Sequence, residues 1–438
     1  MKKGFYALMC LMITAVLSFW GQPVRAGERV PLPGVGWNYP YRDSYRTWKP
    51  PKEGYDERMM NQDVIASYGY GAKSVDEIKD LLPESLYTMM KNPSVWGKIR
   101  VNVTERKMPK GVLFKRYKEA TAKYRGQAKI DAKQWIRNYK AGCPFPDPKS
   151  GIEVEWNYRR RFKPDDRIFP VITVITNKRG QVRYQTSDGN LLFMTGRLAA
   201  DPKPTFLPNP NKIERIDVYA NAHPYELQGT ISVITQFNDP GKTDELWMYL
   251  PSMRRVRHLS TTQRIDKLPG GQDLFWDCFD TFNGNPSLFN FKLLGRKEML
   301  VVMNGYPKGE FILHEYMMGP NDYYQKVNCY VNEIHSKDPN YPFSKIIQYL
   351  DPDTWVSYYT DWYDRKGKLQ RSSIFNYTLT KNGIVMANVM NHIDFQRVHS
   401  TGYAYTNARS GSGGNTYNVG LTPDYFILDH LRKVYPAR

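Results

Sequence analysis

The stretch "TWVSYYTDWYDRKGKLQRSSIFNYTLTKNGIVMANVMNHIDF", Thr354 to Phe395, decides the fold. Three runs rich in β-branched and aromatic residues are parted by two turn signals. The first is "DRKG", with Gly367 free to take positive φ. The second is Asn382-Gly383, the strongest short hairpin signal. The spacing predicts three consecutive antiparallel strands. In the third, Ile384, Met386 and Met390 point to one side and Val385, Ala387 and Val389 to the other. Both faces are apolar, so part of this sheet is expected to be covered twice.

The same pattern runs upstream. "IFPVITVIT", closed by Asn177 to Gly180, is followed by "QVRYQTSDG", "IERIDVYANA", "GTISVITQF", "DELWMYL" and "RRVRHL". Turns fall at Asp239-Pro240-Gly241 and Pro251-Ser252. Such short spacings leave no room for crossover helices, so the strands are antiparallel. Gln272 to Leu294 reads as helical turns and loop. "CPFPDPKSGIEVEWNYRRRF", Cys143 to Phe162, reads as a proline elbow, a short alternating strand and a triple arginine.

Helical signals sit near the ends. "SVDE", Ser74 to Glu77, is a capping box, and Pro83 kinks or divides the helix behind it. Lys98 to Lys140 holds fourteen Lys/Arg against three acids, and much of the net charge of +19 resides there. Two helices are expected in it, Val112–Tyr124 and Gln127–Tyr139. Phe114, Tyr117, Tyr124, Trp135, Ile136 and Tyr139 would supply the inward faces. "SGSGG", Ser410 to Gly414, reads as a flexible loop and "TPDYFILDHLRK" as a terminal helix. The fold class is α+β: a large curved antiparallel sheet with helices from the N-terminal third packed against it.

The N-terminus reads as a secretory signal. Lys2 and Lys3 precede an apolar run, Phe5 to Phe19, too short to span a bilayer comfortably, and Val24-Arg25-Ala26 suits cleavage after Ala26. A periplasmic protein is expected. Its organisation would be a signal at 1–26, an extended arm at 27–62, a basic helical region at 63–142 and a half-barrel at 143–438. Three cysteines remain, Cys143, Cys278 and Cys329, so at least one is unpaired within the chain.

No Gly-x-Ser-x-Gly, Cys-x-x-Cys or His-Glu-x-x-His occurs, and no two histidines have i,i+4 spacing. Catalytic residues, a metal and a cofactor are therefore not expected. "GYGAKS", Gly69 to Ser74, fails the Walker spacing and reads as a loop before a capped helix. The paired acids Asp277/Asp280 and Asp351/Asp353 are either acid–base groups or carboxylates that cap helices and pair with arginines. Arg254, Arg255 and Arg257 are either a fork for an anionic headgroup or the charges of a blunted edge strand. The basic segment suits an anionic membrane surface or a solvated face better than nucleic acid, which an exported protein rarely meets. Proline content and the "YPAR" end argue against an outer-membrane barrel.

"PFPDPKSGIEVEWN", "LWMYLPSMRRVR", "FDTFNGNPSLFNFKLLGRKEM" and "YLDPDTWVSYYTDWYDRKGKLQR" occur in that order. Together they resemble a bacterial family built on domain of unknown function thirteen-twenty-nine, whose members are often called outer-membrane lipoprotein-sorting proteins. The match runs from about Lys98 to Arg397, with a weaker tail at "LTPDYFILDHLRK". The family looks like a distant relative of the LolA and LolB carriers. That resemblance implies an unclosed antiparallel barrel, its mouth covered by helices, and an apolar cavity. It also implies a periplasmic setting and, for many members, association with export pumps of the RND type.

Two functions follow as expectations. The first is a carrier for a lipid, a lipoprotein acyl chain or another apolar cargo. The second is a structural subunit of an envelope export complex, its barrel filled. A carrier needs a real cavity, because a sixteen-carbon chain costs on the order of 12 kcal/mol to hold in water. Trp247, Tyr249, Tyr359 and Met386 are the expected lining residues. Arg159, Arg160 and Arg161, with Arg254, Arg255 and Arg257, are the expected contacts to an anionic headgroup or partner.

Overall fold

The computed structural model describes residues 63–259, 264–267, 270–305, 316–317, 322–380, 383–405 and 416–435. The expected signal, the arm and the "SGSGG" loop lie outside them, as does Asn382.

β1 (Ala66–Gly69) and β2 (Arg100–Val103) pair antiparallel, and β3 (Lys129–Ile130) with β4 (Ile136–Arg137) forms a small hairpin. A first meander follows: β5 (Asp166–Thr176), β6 (Val182–Phe193), β7 (Ile213–His223), β8 (Ile231–Phe237), β9 (Glu245–Leu250) and β10 (Arg255–Leu259). The second comprises β11 (Phe289–Val301), β12 (Tyr323–Ser336), β13 (Phe343–Leu350) and β14 (Ser357–Asp364). It continues through β15 (Leu369–Leu379), β16 (Val385–Asp394) and β17 (His399–Tyr405). β18 (Thr416–Tyr417) adds to β5.

β17 pairs with β5, Gly402 opposite Val174, and joins the meanders into one sixteen-stranded sheet. Pairing is antiparallel except for two residues of β2 against β12. β10 and β11 end the series and do not pair with each other among the described residues. The result is an unclosed antiparallel barrel. The connection between these two edges turns into the concave side. There Leu274, Phe275 and Phe282 pack with Ile334, Phe343, Ile346 and Trp362.

Helices cover the sheet. A 3-10 turn, Val75–Leu81, ends before Pro83, and α1 (Glu84–Lys91) starts after it. Of the box expected at Ser74, the serine half is present: its hydroxyl accepts from Asp76 N–H at 3.3 Å. α1 sits on β14, where Asp361 accepts from Ser85 N–H at 3.2 Å and Tyr363 donates to Glu84 at 2.9 Å. Leu86 and Met89 are fully buried there. Each such side chain contributes about 2 kcal/mol relative to exposure. α2 (Pro93–Trp96) follows directly. α3 (Val112–Lys123) buries the expected Phe114 and Tyr117, together with Leu113 and Ala120, while Tyr124 is half-buried just past its end. At the chain's end, α5 (Leu428–Val434) packs Leu431, with the following Tyr435, on Leu192, Ile216 and Val218, so the first meander is covered outside as well as inside.

Three expectations fail in whole or part. Phe289–Leu294, expected as helical turns and loop, is the first half of β11. Gln127–Tyr139 is not a helix. Gly126 takes φ of 76°, and the Asp131 carboxylate accepts from Lys133 and Trp135 N–H, both at 2.9 Å. That local side-chain bonding competes with helix and closes the β3–β4 turn instead. Nor is "GIEVEWNYR" a strand: it is the helix α4 (Gly151–Arg159). Glu153 reaches back to the N–H groups of Ser150 and Lys149, at 3.2 and 2.5 Å, which is the helix-start signature that the apolar alternation obscured. The first long strand begins only at Asp166.

Candidate functional site

The concave face of β5 to β9, with β16, walls a cavity of about 340 Å³. Alternation decides which side chains face it. On β5, Phe169, Val171 and Thr173 line it, and Ile172 and Val174 pack on the other face. On β9, Leu246, Met248 and Leu250 line it. Met386 and Met390 of β16 complete the apolar wall, and Leu274, Trp276 and Phe279 of the inturned connection cover it. This volume lies within the range of small-molecule sites.

The cover is latched by buried ionic groups. Trp276 donates to Asp244 at 2.8 Å, Arg264 pairs with Asp277, and Tyr341 donates to Asp277 at 2.9 Å. The Asp273 carboxylate accepts from Lys267 at 2.8 Å and from the Thr401 hydroxyl at 3.0 Å, and the Asp273 N–H donates to that hydroxyl at 2.8 Å. Burial opposes its ionisation, but His399 and Lys267 outweigh burial and hold its carboxyl below the ordinary value.

One end of the cavity is cationic. Arg161 pairs with Asp280, and Arg215 with Asp217 at 2.6 Å and Asp280 at 3.2 Å. Burial opposes the charge of Asp280, yet the two guanidiniums hold it below the carboxylate norm. Burial pushes Asp217 up to about 6, with Arg215 pulling the other way. A second pocket of about 270 Å³ adjoins this end and shares Arg161, Lys163, Phe193, Arg215 and Asp280 with the first.

Met386 is the one of the four expected lining residues that touches the cavity. Trp247 and Tyr249 occupy the odd positions of β9. Trp247 is 42% exposed and meets the His258 ring at a tilt, and Tyr249 packs outside, with Leu431, with Arg432 over its ring. Tyr359 is buried in the main core, donating to Leu300 C=O at 2.6 Å. The even positions Leu246 and Met248, and the β5 residues, were missed. The signal for them was the same alternation, taken in the other parity.

Arg159, Arg160 and Arg161 do not form a free rim. Arg159 pairs with Glu155 at 2.7 Å, Arg160 with Glu214 and Arg161 with Asp280. They line the smaller pocket, and Arg161 the larger one too. β10 is the edge strand carrying Arg255 and Arg257, which lie opposite Leu250 and Met248 and so share the cavity face of the sheet. Arg254, exposed, occupies the left-handed position just before it. The acid pairs bond arginines: Asp277 to Arg264, Asp280 to Arg161, and Asp351 and Asp353 both to Arg106.

Ser373 and His392, cross-strand partners, meet at 2.9 Å through Nδ1. Burial pushes His392 down to about 4, and Ser373 does not line the cavity. The pair is a buried sheet contact. Cys143, Cys278 and Cys329 are free and buried. Among the described residues no cluster of His, Cys, Asp and Glu is arranged to hold a metal, and no helix is long and apolar enough to cross a membrane.

An unclosed antiparallel barrel around a covered, ligand-sized cavity is the class of protein that fold and site define. The chain belongs to the family described as "Protein of unknown function (DUF1329)", which it matches over residues 71–432. It is 26% identical over 322 residues to the uncharacterized protein PA3922 of Pseudomonas aeruginosa, covering 68% of this chain and 67% of that one. Among solved structures it is similar to a domain from Vibrio parahaemolyticus named for outer membrane lipoprotein sorting. That similarity has TM-score 0.46 and 17% identity, and covers 64% of this chain and 98% of that one. A LolA superfamily protein from Nitrosomonas europaea is similar at TM-score 0.39 and 13% identity, over 65% of this chain and 100% of that one.

Proposed function

We propose that this chain is a non-catalytic periplasmic carrier that holds a lipid, a lipoprotein acyl chain or a similar apolar cargo in its concave cavity. The observation that carries this reading is the cavity itself, about 340 Å³ between the sheet and its inturned cover. Protein interiors are close-packed, with few voids larger than water, so a filled structural barrel would not keep such a space. Met386 and Met390 supply flexible, polarizable walls suited to varied chains. The resemblance to LolA and LolB carriers supports the same setting. On that resemblance the chain associates with an RND-type export pump. Co-purification from detergent-solubilised envelopes tests this, and a chain that retains no pump subunit contradicts it. The basic segment before α4 is proposed to face anionic lipid headgroups.

Met386→Trp tests the carrier. In a cargo site the indole fills the space, so uptake of a fluorescent lipid falls while the melting temperature stays near that of wild type. In a packed core the same change costs about 1–3 kcal/mol of stability. Lost stability in a chain whose wild type takes up no lipid would end the carrier reading.

A further inference from the structure

Lys163 stands in the wall shared by the apolar cavity and the basic pocket. It is partly buried. Its ammonium donates to Arg159 C=O at 3.1 Å and lies 3.4 Å from the centroid of the Phe193 ring. An ammonium has three donors, and this carbonyl uses one. Every arginine around it has a carboxylate: Arg160 has Glu214, Arg161 has Asp280, and Arg215 has Asp217 and Asp280. No carboxylate of the described residues lies within ion-pair distance of Lys163. Asp217 and Asp280 thus pair with Arg161 and Arg215, whereas Lys163 stands in the same wall without a carboxylate partner. Burial, and then Arg161, Arg160 and Arg215, push the Lys163 amine well below the usual lysine range. An anion placed beside this amine would favour its charged form, and the amine adjoins an apolar space.

From this juxtaposition we propose that the cavity takes a single-chain anionic amphiphile. Its tail lies among Phe169, Leu246, Met248 and Met386, and its one carboxylate or phosphate head is bound by Lys163. The proposal rests on the carrier reading and narrows it. A fully acylated lipoprotein terminus has no anion to offer Lys163, whereas a fatty acid or an alkyl phosphate does. The competing role for Lys163 is to cap the C-terminal carbonyls of α4, a favoured place for a lysine. A cap has no reason to distinguish an acid from an alcohol.

The test uses the purified, delipidated full-length chain and displacement of a bound fluorescent lipid. The competitors are dodecanoate, dodecyl phosphate, dodecanol and inorganic phosphate. A hydrogen bond to a charged group predicts about ten- to a hundredfold tighter binding of the two anionic amphiphiles than of dodecanol. Lys163→Met is expected to erase that preference, the two anionic amphiphiles falling to the level of dodecanol, and Lys163→Arg to keep the preference. Met386→Trp is expected to weaken all three amphiphiles. Equal binding of acid and alcohol by the wild type, which needs no variant to fold, overturns the proposal and leaves the carrier intact. Inorganic phosphate competing as well as dodecyl phosphate also overturns it, because the site would then be for a free anion. Failure of all three amphiphiles to bind refutes the carrier reading itself.

Discussion

Glu155 shows how a single residue reports the state of the interior. It is fully buried on α4, one carboxylate oxygen bonds Arg159, and the other has no partner. Burial pushes its carboxyl up to about 7, although Arg159 pulls it back. The folded chain therefore keeps a proton that the unfolded chain releases near the ordinary value of 4.5. Stability from this residue is present below about pH 4.5 and is lost as pH rises toward about 7. Denaturant titrations across that window should show wild type losing stability relative to Glu155→Gln, which cannot titrate. Parallel curves would mean that Glu155 is ionised throughout. His392 contributes the opposite slope in nearly the same window, so the difference between variant and wild type is the informative quantity. At this scale the sequence was a poor guide. Trp247 and Tyr249 look like ligand-wall residues, yet both point away because β9 presents Leu246 and Met248 inward. Composition reports which residues a strand has, and only its partners and coverings decide which face is inside.

Among the elements, α3 carries a direct prediction. Its stripe of Leu113, Phe114, Tyr117 and Ala120 is buried, and Lys115, Arg116, Lys118 and Lys123 remain exposed around one acid, Glu119. If this face meets anionic lipid, the full chain should float with liposomes containing phosphatidylglycerol, and flotation should weaken with salt. Exposed charges are screened over about 10 Å at 0.1 M. Reversing Lys115, Arg116 and Lys118 to Glu should abolish flotation without lowering the melting temperature. Binding indifferent to salt and lipid charge would count against the idea. α3 was legible because its apolar spacing and its basic surface agree. α4 was not: Ile152, Val154, Trp156 and Tyr158 alternate like a strand, and only the Glu153 contact to Ser150 N–H betrays a helix. The β3–β4 hairpin was missed because Asp131, a polar residue in an apparently helical stretch, takes the backbone for itself.

Across the whole molecule, the strands were legible and their closure was not. Gly367 and the Asn382-Gly383 signal fixed the order of β14, β15 and β16, because a short turn forces neighbours to pair. Nothing local says that β17 returns to β5, where Tyr403 lies opposite Thr173, 230 residues earlier, since that pairing depends on the curvature of the entire sheet. The same holds for the interior. Leu274, Trp276 and Phe279 read as aromatic loop residues, and only the folded chain makes them the cover of a cavity. The central claim is that this cavity carries cargo. Solvent extraction of the purified full-length chain, with mass spectrometry of the extract, tests it most directly. A carrier should yield a lipid or acyl-chain amphiphile in near-equimolar amount from wild type and much less from Met386→Trp. A wild-type extract with no apolar molecule, from a chain that also takes up no added lipid, would contradict it.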